Sequence, residues 1–149
     1  MSGVRRNDVT RSMARTAHLV LAWLFVAGVA VQIFLAGMGV FAGSLNFATH
    51  RDFGYLLELF PVLLLVTAAV GRLGRRQVIL PVVIFGLFVL QSILVLQRDS
   101  FPAIAALHPV NGFLIALLAV GVAREAWQRW RSGEPEVAAP AGAQEAAGS

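Results

Sequence analysis

Four long apolar stretches, separated by short polar connections, constrain the fold of this chain more than any other feature of its sequence. They run from Ala17 to about Phe41, from Phe53 to Val70, from Val78 to Leu96 and from about Pro102 to Ala123. Each is close to the roughly 20 residues that an α-helix needs to cross about 30 Å of hydrocarbon. The alternation typical of a transmembrane β-strand is missing, so the stretches predict four membrane-spanning helices.

The composition also favours a membrane protein over a soluble domain. Of the 149 residues, 58% are hydrophobic and only 13% are charged, whereas soluble domains carry about 25% charged residues. The absence of cysteine excludes disulfides, thiolate metal sites and cysteine nucleophiles. The sequence has no Gly-rich phosphate loop, nucleophile elbow or paired carboxylates that would favour a nucleotide-binding protein or a hydrolase. The basic residues flank apolar stretches, so a nucleic-acid partner is not expected and the predicted partner is the lipid bilayer.

The distribution of arginine predicts how the chain is oriented in the membrane. Only Arg51 and Arg98 lie in the first and third connections, and each has an aspartate beside it. The other ten precede the first stretch, join the second to the third, or follow the fourth: Arg5, Arg6, Arg11, Arg15, Arg72, Arg75, Arg76, Arg124, Arg129 and Arg131. Because basic connections stay in the cytoplasm, both termini are predicted to be cytoplasmic in a multi-pass protein of the cell membrane.

Three segments follow from these features. Residues 1–16 are predicted to be a basic cytoplasmic segment, residues 17–131 a four-span bundle and residues 132–149 a disordered cytoplasmic tail. The first stretch exceeds the roughly 7 to 15 apolar residues of a signal peptide, so we expect it to remain in the protein.

Two of the three histidines begin the same pattern. "HRDFGYLL" starts at His50 and "HPVNGFLI" starts at His108, so an offset of 58 residues also aligns Gly54 with Gly112. A glutamine precedes each histidine by a similar distance, Gln32 by 18 residues and Gln91 by 17. These coincidences predict an all-α bundle of two repeated helical hairpins, related by an approximate two-fold axis along the membrane normal.

Such a repeat would bring the two histidines together near the outer face. Two imidazoles on opposed helices suit the axial positions of a haem iron, and we therefore predict that His50 and His108 bind haem b. Gly54 and Gly112 lie one helical turn from their histidines and would leave room for a flat macrocycle. Arg51 and Arg98 could pair with haem propionates, unless Asp52 and Asp99 already neutralise them. Packing alone could also explain the histidines and glycines.

Depth along the membrane sets a condition on this pairing. His50 lies 22 residues before Arg72, whereas His108 lies 16 before Arg124, a difference of about 9 Å along a helix. A fourth span that continues to Trp127 or beyond would remove most of this difference. His18 is about 30 Å from the pair and is not expected to join it.

Several other polar residues lie in the predicted spans. Glu58 is interpreted as a neutral carboxyl bonded to a neighbouring helix, with a proton acceptor as the alternative. Gln32 and Gln91 are expected to bond across helices, with a role in orienting haem or its ligands as the less favoured alternative. Asn111 could be a cap or a partner of His108.

The segments "HRDFGYLLELFP", "VLQSILV" and "PAIAALHPVNGFLIALL" resemble one four-helix half of the haem A synthase family. They are also similar to small four-span membrane proteins of actinobacteria. The resemblance covers roughly residues 17–125 and implies haem ligands at His50 and His108. This sequence departs from the pattern of the family's enzymes in two ways. The family's enzymes have two such halves, and the acid that they place shortly before the ligand of the second span is missing from "NFATHRDFG".

The sequence leaves two functions in competition. The first is a b-type haem protein that transfers electrons or handles haem for a membrane partner, and whether it is an enzyme stays open. The second is a structural or accessory membrane subunit without a cofactor. A transporter is less favoured, because few polar residues could line a path.

Overall fold

The computed structural model describes residues 2–132, with side chains from residue 5 onward. The predicted tail, apart from Ser132, lies outside the described residues. The regular structure within them is helical: α1 (Ser2–Phe41), a 3-10 turn (Ser44–Asn46), α2 (Phe47–Leu57), α3 (Leu59–Val70), α4 (Arg75–Leu96), α5 (Pro102–Ala105) and α6 (Leu107–Ser132).

Four of the helical segments are long and apolar enough to cross a membrane. They cover Arg5–Phe41, Ser44–Val70, Arg75–Leu96 and Pro102–Ser132. Between 17% and 22% of each apolar window is buried inside the protein. The remaining surface is apolar and faces outward, as expected for helices that a bilayer solvates. The chain is therefore an all-helical, four-span protein of membrane character.

The helix limits differ from the sequence prediction at both ends of the chain. Residues of the basic segment 1–16 are helical from Ser2 and continue without a break into the first span. The fourth span does not end at Ala123 but continues as α6 to Ser132. This continuation past Trp127 removes most of the difference in depth that the sequence predicted between His50 and His108.

The helices form a ring in which each span touches its neighbours in the chain. α1 contacts α2, α3 and α6, and α4 contacts α3 and α6. No close backbone approach joins α1 to α4 or α3 to α6 among the described residues, so these pairs lie diagonally across the bundle. Side chains that meet along the diagonals therefore lie near the bundle axis.

An apolar cluster fills the middle of the ring. Phe25 is fully buried, with its ring centre 5.7 Å from that of Phe60 and 6.1 Å from that of Phe88. Aromatic rings at these separations attract one another beyond the effect of burial. The rest of the buried cluster comprises Ala22, Val29, Leu57, Leu64, Ile84, Ile115, Ala119, Val122 and Ala123. This apolar layer separates polar groups at the two ends of the bundle. We call the end with His50 and His108 the outer end and the end with His18 the inner end, after the predicted orientation.

Proline and glycine mark the breaks between helices. α2 and α3 form one span that is interrupted at Glu58, three residues before the buried Pro61. Since proline has no N–H, Pro61 cannot donate to the carbonyl of Leu57, which weakens the helix there. Gly43 and Gly74 have φ values of 114° and 88° in the turns before the second and third spans, a conformation that glycine adopts without strain.

Candidate functional site

The outer ends of the second and fourth spans bring His50 and His108 together. Their ring centres are 6.2 Å apart and the ring planes are inclined by 65°. His50 lies on α2 and His108 on α6, so the pair reaches across a diagonal of the bundle. Pro109 lies in the first turn of α6, where the loss of one backbone N–H costs little. We call this pair, with Gln32 and Gln91, the outer site.

Each histidine is held by the glutamine that precedes it. His50 Nδ1 lies 3.1 Å from the backbone carbonyl of Gln32, and His108 Nδ1 lies 3.2 Å from that of Gln91. A carbonyl only accepts hydrogen bonds, so the proton of each neutral ring is on Nδ1. Nε2 of both rings therefore keeps its lone pair, which is the form of imidazole that binds metals.

The side-chain amides of the same glutamines face these lone pairs. Gln32 Nε2 lies 3.4 Å from His50 Nε2, and Gln91 Nε2 lies 3.2 Å from His108 Nε2. Gln32 Nε2 also donates to the backbone carbonyl of His50 at 2.8 Å. The glutamines thus bond across helices, from α1 to α2 and from α4 to α6, as the sequence predicts, and the groups that they contact are the two histidines.

The two glycines of the pattern face the glutamine amides. A Cβ atom on Gly54 would lie 2.9 Å from Gln32 Nε2, and one on Gly112 would lie 3.2 Å from Gln91 Nε2. The clearance beside each histidine, predicted for a macrocycle, is occupied here by an amide. A flat ligand between the imidazoles would require both glutamine side chains to move.

The two halves of the outer site differ at Asn111. This buried residue donates from Nδ2 to the carbonyl of Leu87 at 2.8 Å and to Gln91 Oε1. The offset of 58 places Phe53 at the matching position of the first hairpin. Gln32 Oε1 is buried and has no hydrogen-bond partner. Asn111 therefore fixes Gln91 at its amide oxygen, whereas Gln32 is fixed only at its amide nitrogen.

The predicted arginine partners lie on the outer surface. Arg51 is paired with Asp52 at 2.8 Å, and Arg98 with Asp99 at 3.5 Å. More than half of each of these side chains is exposed, and exposed ion pairs of this kind contribute little to stability because water screens them. Both guanidinium groups could exchange these weak partners for another anion.

Glu58 has no side-chain partner among the described residues. It is partly exposed at the break between α2 and α3. The expected hydrogen bond to a neighbouring helix is not present within residues 5–132. Nothing in its surroundings makes Glu58 part of the outer site.

A second polar cluster lies near the inner ends of the helices and contains His18. The ring is fully buried, with Nδ1 3.1 Å from the carbonyl of Leu64 and 3.0 Å from Thr67 Oγ1. Its Nε2 lies 2.9 Å from Gln77 Oε1, and Gln77 Nε2 lies 3.4 Å from the carbonyl of Val122. These contacts join all four spans, and we call them the inner cluster.

Glu125 follows the inner cluster along α6. Its Oε1 accepts from Arg129 Nη2 at 3.1 Å, and its Oε2 lies 3.4 Å from Arg76 Nε. The Arg76 contact is an ion pair without hydrogen-bond geometry, so Oε2 has no hydrogen-bond partner. Arg15 adds a bond from Nε to the carbonyl of Gly71 at 3.0 Å. These contacts join the basic ends of the first and second spans, and separately those of the third and fourth.

Gln77 and Thr67 are partners of His18 that the sequence did not predict. One signal could have identified Gln77, which follows His18 by 59 residues, the interval that also separates Gln32 from Gln91. Nothing in the sequence pattern singles out Thr67, because its role depends on the rotation of α3 about its axis.

The donor set of the outer site fits a haem iron better than other metal centres. Two neutral imidazoles offer Nε2 lone pairs, each faced by a glutamine amide, but residues 5–132 hold no group of three or more His, Cys, Asp or Glu side chains that could bind a metal ion. Zinc would need such a group, because its protein sites supply at least three ligands. Haem needs only axial donors from the protein.

Comparison with known proteins assigns no function to these residues. Residues 32–98 match a family of unknown function, DUF6220, which covers less than half of the chain and includes His50 but not His108. No curated protein and no solved structure matches the chain. The resemblance to haem A synthases therefore stays a prediction.

Proposed function

We propose that this protein binds one haem b through His50 and His108 near the outer face of the membrane. The observation that carries the proposal is the pairing of two imidazoles whose Nδ1 atoms both face a backbone carbonyl. In metal-binding histidines, a hydrogen bond from the ring nitrogen that does not bind the metal fixes the tautomer and the ring orientation. A bound haem would supply one-electron chemistry, and the protein would supply its position and surroundings.

The short separation of the two rings supports the binding of one haem by both histidines. The ring centres of His50 and His108 are 6.2 Å apart, so both imidazoles would be near enough to hold one haem iron. Gln32 and Gln91 lie against both Nε2 atoms, so their side chains would have to turn away.

The surrounding residues have separate roles in this proposal. Gly54 and Gly112 leave space beside the histidines once the glutamine amides have turned away. Arg51 and Arg98, with their exposed and weakly held partners, bind the propionates. Electron transfer or haem handling then requires a membrane partner that approaches the outer ends of the second and fourth spans.

We also propose that the two hairpins are copies of one unit, with both termini in the cytoplasm. The contacts of Gln32 with His50 match those of Gln91 with His108. In the inner cluster, the contact of His18 with the carbonyl of Leu64 is matched by that of Gln77 with the carbonyl of Val122. The arginine distribution supports the cytoplasmic orientation.

An absorption spectrum of detergent-purified protein from haem-replete cells tests the haem proposal. We expect a Soret band and the spectrum of a six-coordinate haem. His50→Ala and His108→Ala should each remove the six-coordinate spectrum, whereas His18→Ala, which changes the inner cluster, should keep it. Folded wild-type protein without a Soret band would refute the proposal.

The second candidate is an accessory membrane subunit without a cofactor. The observation in its favour is that Gln32 and Gln91 already meet both Nε2 atoms and occupy the space beside the glycines. In that case the outer site only connects helices. His50→Ala and His108→Ala would then lower thermal stability in a protein that never contains haem.

A further inference from the structure

Glu58 lies near the middle of the membrane. It is the only Asp, Glu, Lys or Arg residue in the four apolar stretches. The second span runs from Ser44 to Val70, so Glu58 is 14 residues from one end and 12 from the other, about 21 and 18 Å along a helix. Its short side chain reaches neither surface. Ionisable residues at such depths almost always face a cavity or pair with another polar group.

The bundle itself gives the Glu58 carboxyl no partner. The buried side of its span carries Leu57, Pro61, Leu64 and Ala68. Glu58 lies beside this buried side and is partly exposed at the surface of the bundle. No side chain within residues 5–132 bonds to it. A partner for the carboxyl therefore has to approach from outside the bundle.

Apolar residues extend along the same side of the span. Tyr55, Val62, Leu65 and Ala69 lie at alternating intervals of three and four residues in register with Glu58, so all five share one helix side. Tyr55 and Val62 are 58% and 45% exposed. This spacing is the one by which two helices pack along their length, in membranes as in coiled coils. We call these five residues the Glu58 stripe.

We propose that the Glu58 stripe is the interface of a homodimer whose two-fold axis lies along the membrane normal. Copies of one chain inserted in one orientation carry Glu58 at the same depth, and a two-fold axis brings the same residue of both copies together. A protonated carboxyl has one O–H donor and a carbonyl acceptor. Two such groups satisfy each other with two hydrogen bonds. This interface involves no haem and stands apart from the proposed function.

A second copy offers no cation that could replace the carboxyl as partner. The arginines flank the apolar stretches. The three histidines are held inside the bundle by the side chain or carbonyl of a glutamine: His18, His50 and His108. A pair of neutral carboxyls also places no charge in hydrocarbon, where an isolated charge is very costly. A different membrane protein with a basic residue at this depth is the alternative that the experiments distinguish.

Single cysteines test the interface, because the chain has none of its own. Val62 and Leu63 are adjacent and equally exposed, at 45%, but they point about 100° apart around the helix. We expect Val62→Cys to form a disulfide-linked dimer when membranes are mildly oxidised. Leu63→Cys should form far less, because a disulfide needs Cα atoms within about 7 Å. No dimer from Val62→Cys, or equal amounts from both variants, would overturn the proposal.

Substitutions of Glu58 in the Val62→Cys protein test the carboxyl pair. Glu58→Gln keeps a donor and an acceptor, so crosslinking should persist. Glu58→Leu removes two hydrogen bonds between membrane helices and should lower the dimerisation constant roughly tenfold. Full crosslinking in Glu58→Leu would overturn the role of the carboxyl. Equal loss in Glu58→Gln and Glu58→Leu would indicate an ionised carboxylate with a basic partner and would also overturn the carboxyl pair.

Two controls separate the dimer from other causes. Thermal unfolding in detergent should show that Glu58→Leu folds like the wild type, because the side chain is partly exposed and has no partner within residues 5–132. The Soret band should be the same in Glu58→Leu as in the wild type. Protein without haem that still crosslinks at Val62→Cys would refute the proposed function alone, whereas haem-containing protein without this crosslink would refute only the dimer.

Discussion

At the scale of single residues, the inner cluster shows how a buried imidazole is stabilised inside an apolar bundle. A buried polar group is costly unless its hydrogen-bonding atoms have partners. Both ring nitrogens of His18 have partners, Nδ1 on α3 and Nε2 on α4. Gln77, the partner on α4, also contacts the carbonyl of Val122 on α6. The cluster therefore contributes to the pairing of helices as well as to burial.

We predict that His18→Ala lowers the free energy of unfolding by about 2 to 4 kcal/mol, because it leaves a cavity and deprives Gln77 Oε1 of its partner. The measurement is thermal or denaturant unfolding in detergent. Thr16→Ala, an exposed position on the same helix, serves as the control and should change stability by less than about 0.5 kcal/mol.

The bond between His18 and Gln77 can be measured separately. A double-mutant cycle of His18→Ala and Gln77→Ala should give a coupling free energy of about 0.6 to 1.7 kcal/mol, the range of side-chain hydrogen bonds between membrane helices. Strict additivity of the two substitutions would show that the 2.9 Å contact contributes nothing to stability.

At the scale of helices, close approach depends on a few glycines. A Cβ atom on Gly28 of α1 would lie 2.6 Å from Leu57 Cδ2, at the end of α2. Leu57 is 1% exposed, so its side chain has little room to move away. Gly28 therefore sets how closely the helix that carries His50 approaches α1, as small residues do between membrane helices.

We predict that Gly28→Val destabilises the protein by about 1 to 3 kcal/mol through overpacking against Leu57. Gly37→Val is the matched control, because it lies on the same helix and a Cβ there would meet no atom within 4 Å. Both variants are compared by unfolding in detergent. Equal effects would mean that helix propensity, and not the contact with Leu57, determines the loss.

The helix scale also shows what the sequence could and could not predict. Hydropathy predicted the four spans, and the repeated pattern predicted that His50 and His108 lie close together. Neither signal predicted the bonds of Gln32 and Gln91 to the histidines or the inner cluster, because these depend on how each helix is rotated about its axis. The helical extension of α1 to Ser2 was missed as well, since a charged segment carries no hydropathy signal.

At the scale of the whole molecule, charge is segregated to one end of the bundle. Arg15, Arg76 and Arg129 make contacts near the inner ends, whereas Arg51 and Arg98 lie at the opposite end with an aspartate each. The positive-inside tendency assigns the arginine-rich end to the cytoplasm. The outer site would then open toward the opposite compartment.

Because the chain has no cysteine, single cysteines can test this orientation directly. We predict that Ser44→Cys and Ser100→Cys, in the first and third connections, react with a membrane-impermeant maleimide in intact cells. Ser132→Cys, at the end of α6, should react only after the membrane is permeabilised. All three positions are exposed, so the reverse pattern of labelling would invert the proposed topology.

The unbroken length of α1 has a mechanical consequence. Its 40 residues measure about 60 Å, roughly twice the thickness of the hydrocarbon layer. Val9 lies eight residues before the first apolar stretch, which is about 12 Å along the helix. Since His18 and Gln32 belong to the same unbroken helix, a rotation of α1 about its axis would move both residues together.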